Sequence, residues 1–254
     1  MKHQSRETMK KTNDSINYQA YTMIRDMILC FDLEPGQRVS DFTLSKQLGI
    51  SRTPVREALA SLVKDGLVTM SEKGQIVRKI DAGDLTDLCH MREALETMML
   101  RLTIQNGELT AQDIAQMRAF NDEMIKMNQA NQIHLTFEID ERLHDYIAVK
   151  SKSSRMLEQF RVSQLQMRRY RFLTLIDDQR SALTVREHAD IIDALEAHDI
   201  HAAEEAMRAH LHITVERYKN ALQRMSAKEW IRLIRNLTSP QALKTLYPGR
   251  SDIA

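Results

Sequence analysis

The chain has 254 residues, enough for two small domains that each bury a core. It carries 36 Lys and Arg against 35 Asp and Glu, a net charge of +1, and only 7 Gly and 4 Pro, a bias toward helix over sheet. No apolar run approaches a membrane span and the N-terminus is polar and charged, unlike a signal peptide; Cys30 and Cys89 lack CxxC spacing and suit a reducing cytoplasm. Residues 1–80 hold 13 Lys and Arg against 9 Asp and Glu, whereas the remainder is mildly acidic.

In chain order, residues 1–15 lack apolar periodicity and are expected to form a flexible N-terminal arm. Tyr21, Ile24 and Ile28 predict an amphipathic helix over Tyr18–Leu29, broken at Leu33-Glu34-Pro35-Gly36. Ser40 can cap a second helix running to about Leu48, and Gly49 turns the chain into a third, from about Arg52 to Lys64. Leu67–Met70 and Gln75–Arg78 are strand-like runs around the turn Ser71-Glu72-Lys73-Gly74. Three helices and a hairpin predict a winged helix-turn-helix over residues 16–80.

Asp81-Ala82-Gly83-Asp84 is the expected linker to a second domain over 81–225. Helical periodicity there falls near 84–104, 110–129, 133–149, 153–175, 183–197 and 200–225, with breaks at Asn106-Gly107, Lys150–Ser154 and His198-Asp199. The predicted fold class is therefore mainly α: a winged helix-turn-helix followed by an all-α antiparallel bundle. A bundle can enclose a small-molecule site between its helices. Residues 226–254 form a C-terminal extension, with a further helical pattern at 227–237 and a Pro- and Gly-containing tail after Thr238.

The third helix opens with Ser51-Arg52-Thr53-Pro54-Val55-Arg56. Arg52 and Arg56 lie one turn apart and share a face. Ser51 or Thr53 can cap the free amides, and Pro54 suits the first helical position after Thr53. Such an end offers positive charge, N–H groups and the helix dipole to an anion, as a helix entering DNA by its N-terminus must.

In the second domain Asp140 and His144 share a face with Phe137 and Ile147, so a carboxylate and an imidazole interrupt an inward apolar stripe. His188 does the same beside Ile191, Ile192 and Leu195, and His210 lies beside Ala206, Met207 and Leu211. Burying these groups is costly unless they are paired or ligated. Together they could coordinate a divalent transition metal, zinc first and nickel, manganese or iron as alternatives. One inward histidine by itself is commonly a hydrogen-bonded core residue, and spacing leaves both readings open. A helical metallohydrolase is the enzyme alternative, but the chain has no H-E-x-x-H and no nucleophile motif.

Pro35-Gly36, Leu44-Ser45, Leu48–Leu59 and Asp65-Gly66-Leu67 resemble the GntR family of bacterial transcription regulators. The second domain resembles the FCD effector domain of the FadR-type subfamily. The resemblance spans about residues 17–225. It implies a cytoplasmic homodimer, a repressor in most of the family, that binds a palindromic double-stranded operator and answers to a small organic acid. It implies DNA contacts at Ser51, Arg52, Thr53 and Arg56, with wing contacts near Lys73 and Gly74. It implies metal ligation by Asp140, His144, His188 and His210. Some relatives instead bind a larger ligand such as an acyl-CoA without metal. Arg92 resembles an arginine often found in the first bundle helix, and would either face a carboxylate effector or make a surface ion pair. The chain departs from the pattern at Phe42, where some relatives carry a DNA-contacting arginine, and at Ser153-Ser154, where many carry an asparagine.

Overall fold

The computed structural model describes residues 2–72, 74–130, 132–171 and 180–224, together with 229 and 232. The expected extension over 226–254 thus lies almost wholly outside the described residues. The chain divides between Ile80 and Asp81 into two compact units. Among the described residues no helix is long and apolar enough to cross a membrane.

The first unit holds α1 (Lys2–Leu29), α2 (Asp41–Leu48), α3 (Arg52–Lys64) and an antiparallel hairpin of β1 (Val68–Ser71) and β2 (Gly74–Val77), with Val68 opposite Val77 and Ser71 opposite Gly74. α1 starts at Lys2, so residues 2–15 are helical backbone where the sequence suggested an irregular arm. Their Lys, Arg, Glu, Gln and Met content favours helix without needing an apolar stripe, and an already nucleated helix extends cheaply. The core is formed by Ile24, Ile28 and Leu29 of α1, Leu44 of α2, Val55, Leu59 and Leu62 of α3, and Leu67. Tyr21 of α1 donates to Asp65, just past α3, at 2.7 Å.

Ser40 caps α2 by accepting from the Thr43 N–H, and Gly49 ends it in the left-handed region at φ 66°, where a Cβ would be strained. A connection missed in the sequence completes the wing. Val39 N donates to Gln75 O and Val77 N to Gln37 O, so residues 37–39 run along β2 as a third short rung. Only side-chain alternation marks a strand in sequence, and a three-residue segment is too short to show it.

The second unit is a bundle of α4 (Ala82–Gln105), α5 (Ala111–Gln129), α6 (Ile133–Lys150), α7 (Ser154–Arg171), α8 (Arg180–Glu196) and α9 (Ile200–Arg224). The expected linker is in fact the start of α4: Asp81 is its N-cap, accepting from the Asp84 N–H, and Ala82 to Asp84 are its first turn. Asp84 is tied to α7 by Tyr170 Oη at 2.6 Å and Arg169 Nη2 at 3.1 Å. Thr110 and Asp113 open α5 with a reciprocal capping box. The anticipated breaks contain left-handed residues at Gly107, Lys152 and His198. Leu100, Met117, Phe120, Leu143, Ile147, Ile192, Leu195, Met207 and Leu211 pack into one core. His144 of α6, His188 of α8 and His210 of α9 are buried with it.

Candidate metal centre and nucleic-acid interface

Asp140 and His144 of α6, His188 of α8 and His210 of α9 converge in the bundle, one candidate ligand atom from each lying within 4.8 Å of the others. The three imidazoles are buried and Asp140 is half-buried. His188 Nε2 is 3.4 Å from Asp140 Oδ1, and His144 Nε2 is 4.0 Å from the same oxygen. Donors of a tetrahedral metal with bonds of about 2.1 Å stand about 3.4 Å apart, the separation already found between His188 Nε2 and Asp140 Oδ1, so the cluster would contract around an ion to complete the shell.

Buried carboxylates orient two of the rings. His144 Nδ1 is 2.6 Å from Glu96 Oε2, and Arg92 Nε donates to Glu96 Oε1 at 2.6 Å. His210 Nδ1 is 2.8 Å from Glu187 Oε2, and Arg217 Nη2 donates to Glu187 Oε1 at 2.5 Å. Each Arg–Glu–His relay places a proton on Nδ1 and turns the Nε2 lone pair inward. His144 Nε2 and both nitrogens of His188 are buried without a hydrogen-bond partner. Three buried imidazoles, two pre-set for Nε2 ligation and with nitrogens left orphaned, fit a divalent transition metal better than a hydrogen-bonded core.

Charge balance favours the ligating state. Burial, and then the neighbouring His210, hold His188 well below the usual imidazole range. Burial also lowers His210, against the pull of Glu187. Burial tends to raise Glu96, but Arg92 and His144 outweigh it and bring its carboxyl down to about 2. Both histidines are therefore neutral and Glu96 is ionised near neutral pH.

Arg92 is not at the surface, as one of its two expected roles required. It is buried against Glu96, which links it to His144, and is close enough to Asp140 to feel its charge. The sequence pointed to the four clustered residues but not to Glu96, Glu187 or Arg217. Glu187 precedes His188 yet serves His210, and Glu96 reaches across 48 residues to His144. Neither pairing follows from local spacing.

In the first unit Ser51, Arg52, Thr53 and Arg56 are exposed on the first turns of α3, while Pro54, Val55, Ala58 and Leu59 are buried on its other side. α3 begins at Arg52, with Ser51 as N-cap, so Pro54 is the third helical residue rather than the first. That position still lacks an intrahelical acceptor, so the missing N–H costs nothing. The expected hydroxyl cap does not form at Ser51, whose side chain accepts no hydrogen bond from the first amides of α3. Arg52 pairs with Asp41 of α2. Gly74 closes the wing at φ 97°; Lys73 lies outside the described residues.

The GntR description, bacterial regulatory proteins, matches residues 17–77, and the FCD domain description matches residues 87–213. The chain belongs to the GntR family and carries an FCD domain. It is 30% identical over 206 residues to an HTH-type transcriptional regulator in an unstable DNA locus of Streptomyces ambofaciens, covering 80% of this chain and 85% of that one. It is 32% identical over 173 residues to the Nta operon transcriptional regulator of Aminobacter aminovorans, covering 66% and 78%. The HTH-type transcriptional repressor RspR of Escherichia coli is 25% identical over 207 residues, covering 81% and 90%. Among solved structures, E. coli McbR/YncC superposes with a TM-score of 0.66 at 20% identity, covering 82% of this chain and 98% of that one. A GntR regulator from Rhodococcus sp. RHA1 gives 0.63 at 22% identity, covering 82% and 99%. This GntR regulator is a DNA-binding transcription factor, not an enzyme.

Proposed function

We propose that this GntR protein is a FadR-type, metabolite-responsive repressor whose bundle, residues 81–225, holds a divalent metal and a small carboxylate and thereby controls operator binding by residues 16–80. The observation that carries the reading is the buried ring of three imidazoles, two locked by Glu96 and Glu187 with their Nε2 atoms turned inward, facing Asp140. Asp140, His144, His188 and His210 are the ligands. Zinc suits them best, with nickel, manganese and iron admitted by the same donors. When bound, the metal supplies Lewis acidity that captures an effector carboxylate. Arg92 adds positive charge beside Asp140, and would meet the effector through Nη1 and Nη2, since Glu96 takes Nε.

At the DNA end, Ser51 and Thr53 with the first amides of α3 would hold phosphate, Arg52 and Arg56 would reach base edges, and Lys73 and Gly74 would meet the backbone from the wing. Two copies would bind a palindrome, the operator mirroring the symmetry of a homodimer in the cytoplasm. The effector acts only through unequal affinity for DNA-bound and free states, and the coupling is reciprocal. The RspR name supports the repressor sense.

The test begins with elemental analysis of protein purified without chelators, followed by operator selection from a random duplex library. Operator affinity is then measured against a panel of small carboxylates, with and without the metal found. Stoichiometric metal and a metal-dependent effector response are expected. Metal-free protein that releases DNA in answer to an acyl-CoA would overturn the reading.

A further inference from the structure

Beside the tip of α3 stands an aromatic side chain that the fold does not use. Phe42, in the first turn of α2, is 52% exposed. Lys46, one turn on, places Nζ 4.2 Å from the ring centroid, and the Arg52 guanidinium carbon lies 5.9 Å from it. Its neighbour Asp41 grips Arg52 side-on: Nε and Nη2 both donate to the carboxylate, at 3.2 and 3.0 Å. A guanidinium has five N–H donors, so this pairing leaves the Nη1–Nη2 edge to face outward. That edge matches the O6 and N7 acceptors of guanine in the major groove.

We propose that Asp41, Phe42 and Arg52 form one composite reader, in which Asp41 aims Arg52 at a guanine and the Phe42 ring packs on the 5-methyl group of an adjacent thymine. The proposal rests on α3 being the recognition helix. Phe42 offers no donor to a phosphate, and an apolar contact that it makes with a base edge carries sequence information. Stacked bases are about 3.4 Å apart, so a ring 5.9 Å from the guanidinium is within reach of a neighbouring base step. The apolar group presented there in the major groove is the thymine methyl. Lys46 and Arg52 flank the ring as cations, fixing it in place at low cost in side-chain entropy. Asp41 is thus a positioning residue and Phe42 a specificity residue.

The experiment selects a half-site with the full-length protein and locates the guanine read by Arg52 as the base pair where Arg52→Ala loses discrimination. Each thymine of the half-site is then replaced singly by deoxyuridine, which removes only the methyl group. Replacement next to that guanine should weaken wild-type binding about fourfold, the worth of one buried methyl group. It should leave Phe42→Ala unchanged, while Phe42→Leu keeps the sensitivity. Asp41→Asn should relax the choice of guanine without altering the response to the methyl. Circular dichroism and thermal melting identify any variant that fails to fold, and the deoxyuridine scan of the wild-type protein stands without the variants. No methyl-sensitive thymine beside that guanine would overturn the proposal. Failure to enrich any sequence would overturn the recognition-helix reading beneath it, a distinguishable result.

Discussion

Arg52 and Arg92 each pair with one acidic side chain, yet the two units put the pairing to opposite use. The Arg52 side chain is 64% exposed and its bond to Asp41 is open to water, so the pair can orient the guanidinium while adding little to stability. The Arg92 side chain is 9% exposed and Glu96 is almost fully enclosed, so removing either partner strands a charge in the bundle. A surface that must meet an external ligand needs ion pairs that orient a side chain and leave it exposed. A site that must pre-set imidazoles needs pairs that do not exchange.

This contrast can be broken most forcefully at Arg92. Arg92→Ala should cost about 3–5 kcal/mol of stability in chemical denaturation, because Glu96 is left buried without its countercharge, keeping only the hydrogen bond to His144. A loss no larger than that of a surface pair would erase the distinction between the units. His188→Ala should abolish stoichiometric metal in elemental analysis while relieving two orphaned nitrogens, so the metal-free variant should melt no lower than the metal-free parent.

Arg52→Ala should weaken operator binding by about 1–3 kcal/mol in a mobility-shift titration and leave the melting temperature unchanged. Acid sharpens the comparison from the other side. His188 and His210 are depressed below 6.5 in the folded protein, so as pH falls through 6.5 the unfolded chain binds protons that the folded one refuses. Metal-free protein should therefore lose stability below about pH 6.5. It should lose more below 4.5, where Glu96, held down at about 2, adds a contribution of the same sign. Guanidinium titrations at pH 7.5, 5.5 and 4 check both windows. The smallest effect belongs to Arg161→Ala: the Arg161–Asp145 pair is exposed, and its loss should change stability by under about 1 kcal/mol.

The helices were legible because the patterns that set them are local. The apolar stripes of α5, α6 and α9 repeat every three or four residues, and their ends carry hydroxyl, carboxylate or glycine signals. The Asp140–His144 spacing was legible for the same reason. What was hidden depends on encounters between distant segments. Nothing near Glu187 says that it serves His210 rather than its neighbour His188, and Arg92 shows its burial only once α4 packs against α6 and α9. α3 starts at Arg52 as its pattern predicts, and only the place of Pro54, third rather than first, differs, because proline is tolerated anywhere in a first turn. The mistaken linker at Asp81–Asp84 has a similar cause, since a carboxylate N-cap and a loop share one composition.

The rung formed by residues 37–39 along β2 has a bearing on operator architecture. It stitches the wing to the segment that leads into Ser40 and Asp41, so hydrogen bonds tie hairpin and α2 into one jaw. A jaw tied in this way adapts poorly to a half-site whose groove is wider or narrower than its own span. Discrimination among half-sites would then extend to base pairs that no side chain touches, through the energy needed to bring the duplex to that width.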